Sequence, residues 1–185
     1  MIVEEGDADC HAMDSIADSN RRRPTYRQAF ALPHFRSRHD QDGTVASEDL
    51  NSLYNAARGF AEYMLLAHGE FIPFGVLMRP DGTIAQVAGE RGVERSVSAE
   101  MVELLQASFS QSARLGAIRA AGICMEMSVV LPGREDKTDA ICTRLAHVSG
   151  ESVEVFIPHS RDARGALQLG QPFAAVGDAF TLSER

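Results

Sequence analysis

No stretch of this 185-residue chain approaches the roughly 18 to 20 consecutive apolar residues that a membrane helix needs, so no membrane partner is expected. The first residues, with Glu4, Glu5, Asp7 and Asp9, lack the basic and apolar regions of a secretory leader, and a cytoplasmic location is the expectation. Basic residues are too few to hold a polyanion. The 18 Lys and Arg stand against 26 Asp and Glu, a net charge of −8 at pH 7, which disfavours nucleic acid as a partner. Cysteine is scarce as well. Cys10, Cys124 and Cys142 are odd in number and form no C-x-x-C, so neither a disulfide framework nor a structural zinc site is written here, and no cofactor is expected. What is present, 44% hydrophobic and 24% charged residues, suits one domain with a core of its own.

Residues 1 to 46 are arginine-rich and acidic, with no apolar periodicity longer than a turn, and cannot offset a chain entropy of about 1 to 2 kcal/mol per residue. They are expected to be a disordered polar segment preceding a single α+β domain over 47 to 185. Periodicity begins at Ser47, a residue type suited to an N-cap, with Glu48 and Asp49 at the positive helix end. Leu50, Leu53, Tyr54, Ala57, Phe60, Ala61, Met64 and Leu65 then form one stripe ending at Gly69, a natural left-handed C′ residue. Alternating runs about Pro80-Asp81-Gly82 predict a hairpin over 74 to 88. A second helix follows Ser98, with Met101, Val102, Leu104, Leu105, Phe109 and Leu115 on its stripe and Gly116 at its end.

Three strands complete the expected order α-β-β-α-β-β-β, a largely antiparallel sheet of about five strands. Their more apolar positions are Ile123, Met125, Met127, Val129 and Leu131, then Ile141, Thr143 and Leu145, then Val153, Val155 and Ile157. Matching these as one core face opposes Met125 with Leu145 and Leu145 with Val153, and a one-residue slip would expose the whole set. The other face then carries Gly122, Cys124, Glu126, Cys142, Arg144, Glu154 and Phe156, with Arg144 between the two glutamates. Small residues and cysteines cover a sheet poorly, so this set is the candidate interaction face. In that register Cys124 and Cys142 lie too far apart for a disulfide.

The element order is similar to that of the profilin and roadblock folds, an analogy of topology that carries no function. The segment His68-Gly69-Glu70-Phe71-Ile72-Pro73-Phe74-Gly75 resembles one found in a group of small uncharacterised bacterial proteins with an HGEF-x-PFG segment followed by a D-G hairpin. Thr138 to Ile141, Val155 to Pro158 and Gly170 to Phe173 also match that group, and at His159 the chain departs from the group's aromatic. The resemblance spans about residues 48 to 176 and implies domain limits rather than chemistry. His68-Gly69-Glu70 also matches the H-x-E of zinc nucleoside deaminases, but no P-C-x-x-C follows, and a helix cap explains the same residues, so no metal site is expected.

Two functions are consistent with these residues. The first is a non-enzymatic interaction module, a homodimer or an acidic partner-binding protein such as a toxin-neutralising one, using the small-residue face. The second is a small-molecule-binding protein or hydrolase with a pocket near His68, Glu70, Phe74 and His159. A pocket containing His68, Glu70 or His159 would favour the second.

Overall fold

The computed structural model describes residues 30–31, 40–88, 98–131, 135–175 and 180–182. The fold is α+β. Helix α1 spans Asp40–His68 and α2 spans Ser98–Arg114. The strands are β1 (Phe30–Ala31), β2 (Phe74–Met78), β3 (Ile84–Ala88), β4 (Ala120–Val130), β5 (Lys137–His147), β6 (Ser152–Arg161), β7 (Leu167–Leu169) and β8 (Phe173–Ala175). They form one antiparallel sheet in the order β1-β8-β6-β5-β4-β2-β3, with β7 paired to β6. The expected order of two helices and five longer strands is present, and three short strands extend it. Of the segment 1–46, only 30–31 and 40–46 fall within the described residues.

Helix α1 begins seven residues before the expected cap: Ser47 is buried inside it. Acidic residues favour a first turn wherever it starts, so Glu48 and Asp49 did not mark the boundary. The stripe itself is as expected. Leu50, Leu53, Tyr54, Ala57, Ala61 and Leu65 are buried, each large apolar side chain contributing about 1.5 to 3 kcal/mol. The helix stops where Gly69 takes φ 85° and its N–H donates to Leu65 O at 3.0 Å. On α2, Leu105 and Phe109 are buried, whereas Leu104 is 65% exposed and Leu115, just past the end of the helix, is 75% exposed. The buried stripe is therefore narrower than the sequence pattern.

The sheet is covered on both faces. Against α1 lie Phe74, Val76, Met78, Ala120, Cys124, Ile141, Leu145, Val153, Val155 and Ile157. Ala121, Ile123 and Ala146 meet Leu105 and Phe109 of α2, together with Phe180 and Leu182. Val129, Ala140, Cys142, Phe156 and Phe173 form a third cluster. This is a three-layer arrangement, and it corrects one register. Strand β5 meets β6 as expected, Leu145 opposite Val153, but β4 meets β5 with Gly122 opposite Leu145 and Met125 opposite Cys142. The displacement from the expected pairing is an odd number of residues, so it exchanges the two faces of β4. Cover on both sides removes the penalty that a one-sided sheet would impose, and close approach decides instead. A Cβ at Gly122 would sit 2.6 Å from Leu145 Cδ2 and 3.0 Å from Val76 Cγ2, so only glycine fits between them.

Candidate functional site

The seven residues of the expected interaction face do not share a surface. Register places Gly122, Cys124 and Glu126 on the α1 side of the sheet, and Cys142, Arg144, Glu154 and Phe156 on the α2 side. Arg144 therefore pairs with Glu154 rather than with Glu126, Nε to Oε1, and Glu154 is buried. The Cys142 thiol donates to the same oxygen at 3.9 Å, and burial pushes this thiol well above its usual range. Cys124, on the opposite side, accepts a hydrogen bond from Thr143 Oγ1 at 3.6 Å and is pushed up by burial to about 12. Phe156 stacks on Phe173 with 5.3 Å between centroids. These are interior groups rather than an open face.

The segment 68–75 is explained largely by packing. Gly69 caps α1; Phe71 and Phe74 lie edge to face 5.6 Å apart in the α1 core; Gly75 lets α2 approach β2. His68 and Glu70 are exposed, and Phe74 is fully enclosed. Of the four residues expected around a pocket, His159 is the one that lines it.

That pocket is a cleft of about 290 Å³ at the C-terminal end of α1, walled by Leu65 and Gly69 of the helix end, Glu126 of β4, Asp139 of β5, His159, Ser160 and Arg161 of β6, and Leu167 of β7. Its volume is near the lower end of ordinary ligand sites, roughly 300 Å³. His159 is 8% exposed, its Nε2 makes no hydrogen bond, and Glu126 Oε1 lies 3.4 Å from it. Asp139 accepts a hydrogen bond from Ser128 Oγ at 2.8 Å. Arg161 seals the helix end: Nη2 donates to Leu65 O at 2.6 Å and Nη1 to Gly165 O at 2.8 Å. The sequence reading assigned Glu126 to Arg144 because of the β4–β5 register and passed over Asp139 and Arg161. Asp139 was within reach. The expected and observed β5–β6 pairing, with Ala140 opposite Pro158, extends to set Asp139 against His159.

A second polar group joins the other end of α1 to the sheet. Arg119 Nη2 donates to Asp49 Oδ1 at 2.7 Å, and His147 Nε2 lies 3.4 Å from Asp49 Oδ2. Ser149 Oγ is 2.8 Å from His147 Nδ1, completing a Ser-His-Asp line. The amides around Ser149 are nevertheless committed. Ser149 N–H donates to His147 Nδ1 at 3.1 Å, Gly150 N–H to His147 O at 3.0 Å and Val148 N–H to Arg119 O at 2.9 Å. Acyl transfer needs free donors aimed at a developing oxyanion. With its amides spent on the turn, this group acts as a clamp that holds α1 to the β5–β6 turn.

Among the described residues no group of three or more His, Cys, Asp or Glu side chains is arranged to hold a metal ion. Nor is any described helix long and apolar enough to cross a membrane. Comparisons of this chain with protein-family models, curated proteins and solved structures find no match.

Proposed function

We propose that this domain binds a small polar ligand in the cleft at the C-terminal end of α1. The observation that carries the reading is His159: a buried imidazole whose Nε2, 3.4 Å from Glu126 Oε1, makes no hydrogen bond among the described residues, in the wall of a cleft that also presents Glu126 and Asp139. A buried polar atom without a partner costs about 1 to 3 kcal/mol, and a ligand that supplies the partner recovers that cost. The interaction-module reading drew on a single small-residue face, and those residues are divided between the two covered sides of the sheet. For association with a protein partner or a second copy, exposed apolar side chains among the described residues include Tyr63 and Leu66 on α1 and Leu104 on α2. The test is an NMR titration of the full chain with imidazole-, alcohol- and amine-sized polar fragments. Fragments that shift the amides of Glu126, His159 and Arg161 in the wild type, and lose that effect in His159→Phe, support the cleft. Fragments that bind only elsewhere contradict it.

A further inference from the structure

The charges around the cleft are unevenly committed. Among the described residues Arg161 is the one lysine or arginine in its wall, and each terminal nitrogen of its guanidinium donates to a backbone carbonyl, at Leu65 and Gly165. Glu126 has His159 Nε2 within 3.4 Å as its nearest polar partner among the described residues, and its side chain keeps 27% of its surface open. Among the described residues Asp139 accepts one hydrogen bond, from the hydroxyl of Ser128. The two acidic residues lie on one face of the β4–β5 ladder and both line the cleft. Ser128 opposes Asp139, so Glu126 is the diagonal neighbour of Asp139 on the same face, a spacing of about 7 to 8 Å that a group donating to both carboxylates can bridge. His159 is buried, and its Nε2, which makes no hydrogen bond among the described residues and lies 3.4 Å from Glu126 Oε1, supplies one further polar position beside the two carboxylates.

We propose that the cleft selects a small organic cation, a primary amine whose ammonium lies between the Glu126 and Asp139 carboxylates with His159 hydrogen-bonding the remainder of the ligand. This rests on the cleft being the ligand site. An ammonium brings three donors and one positive charge, which match two carboxylates with spare acceptor capacity. A carboxylate or phosphate ligand would meet those two negative groups, while the Arg161 guanidinium beside them turns both terminal nitrogens toward the Leu65 and Gly165 carbonyls. An inorganic divalent ion would need a third protein ligand, which the described residues do not arrange.

The experiment compares three probes of one shape, n-butylamine, 1-butanol and butyrate, titrated into the full-length chain at low salt and followed by amide NMR. The amine should shift Glu126, Asp139 and His159 most strongly. Its affinity should fall about tenfold or more in Glu126→Gln and in Asp139→Asn, while 1-butanol is indifferent to both changes. Preferential binding of butyrate at those amides overturns the cationic class and leaves the cleft reading standing, as does equal binding of all three probes. An amine affinity unchanged by either substitution also overturns it, because the overall negative charge then accounts for the binding. No shift at those amides with any probe removes this proposal, and failure of the wider fragment titration as well removes the cleft.

Discussion

A methyl group added at Gly75 tests the upper layer of the fold. An alanine Cβ there would lie 2.4 Å from Phe109 Cζ, 3.0 Å from Cε2 and 3.2 Å from Leu105 Cδ2, so the Phe109 ring must retreat by about an ångström to reach ordinary contact. Phe109 is 2% exposed and lies 6.5 Å from the Phe180 ring, which leaves little room to move. Overpacking of this kind costs about 1 to 3 kcal/mol. Gly75 does not take a positive φ, so alanine also returns about 0.4 to 1 kcal/mol by restricting the unfolded chain. The net expectation for Gly75→Ala is a loss of about 1 to 2 kcal/mol, read as a lower urea midpoint at unchanged slope. Shortening the ring removes the obstacle. In a Phe109→Leu background, itself destabilised, Gly75→Ala should be neutral or stabilising, a coupling of about 1 to 3 kcal/mol. An equal cost in both backgrounds, or a stabilising Gly75→Ala in the wild type, would mean that α2 does not pack on β2 there.

The buried thiols give a pH dependence. Cys124 stays protonated in the folded chain to about 12, whereas in the unfolded chain it ionises near 9, so the unfolded state releases its proton first as pH rises. Stability attributable to Cys124 is complete below that range and is lost between about pH 9 and 12, by roughly 1 kcal/mol per pH unit. The loss should be shallower in Cys124→Ala by chemical denaturation across that window, and parallel curves would contradict the burial. At the other end of α1, Arg119→Ala leaves the buried Asp49 carboxylate with His147 alone and should cost about 2 to 3 kcal/mol in thermal unfolding. Removing Asp49 as well should recover part of it, and a double variant worse than the sum of the singles would show that the clamp assignment is wrong.

The parts of the fold legible in the sequence are those governed by a single apolar face. The stripe from Leu50 to Leu65, the Gly69 cap and the Pro80-Asp81-Gly82 hairpin fall in this class, as does the β5–β6 register. The β4–β5 register was illegible because β4 is sandwiched. Ile123 belongs to the α2 side and Cys124 to the α1 side, and both are fully buried. When both faces are covered, choosing the more apolar set no longer identifies the core face. Ala120, Gly122 and Cys124 look like an uncovered surface by composition, yet Ala120 and Cys124 lie in the core cluster with α1, and Gly122 is covered by Leu145 and Val76. The site inherits that error. His159 was readable as a pocket residue, while Glu126 was placed beside Arg144 by the register.

Whether Glu126 faces His159 or Arg144 depends on the pairing of β4 with β5, and one cross-link decides it. Met125 is opposite Cys142, and directly paired antiparallel residues have Cα atoms about 4.5 to 5.5 Å apart, within the range a disulfide spans. In the pairing that matches the more apolar faces, Ser128 would oppose Cys142 instead. Two variants, Met125→Cys and Ser128→Cys, each carrying Cys10→Ser and Cys124→Ala, would be refolded in glutathione buffer and mapped by non-reducing peptide mass spectrometry. The structure predicts a 125–142 disulfide in the first and free thiols or glutathione adducts in the second. A 128–142 disulfide with none at 125–142 would return Glu126 to Arg144 and take the cleft apart.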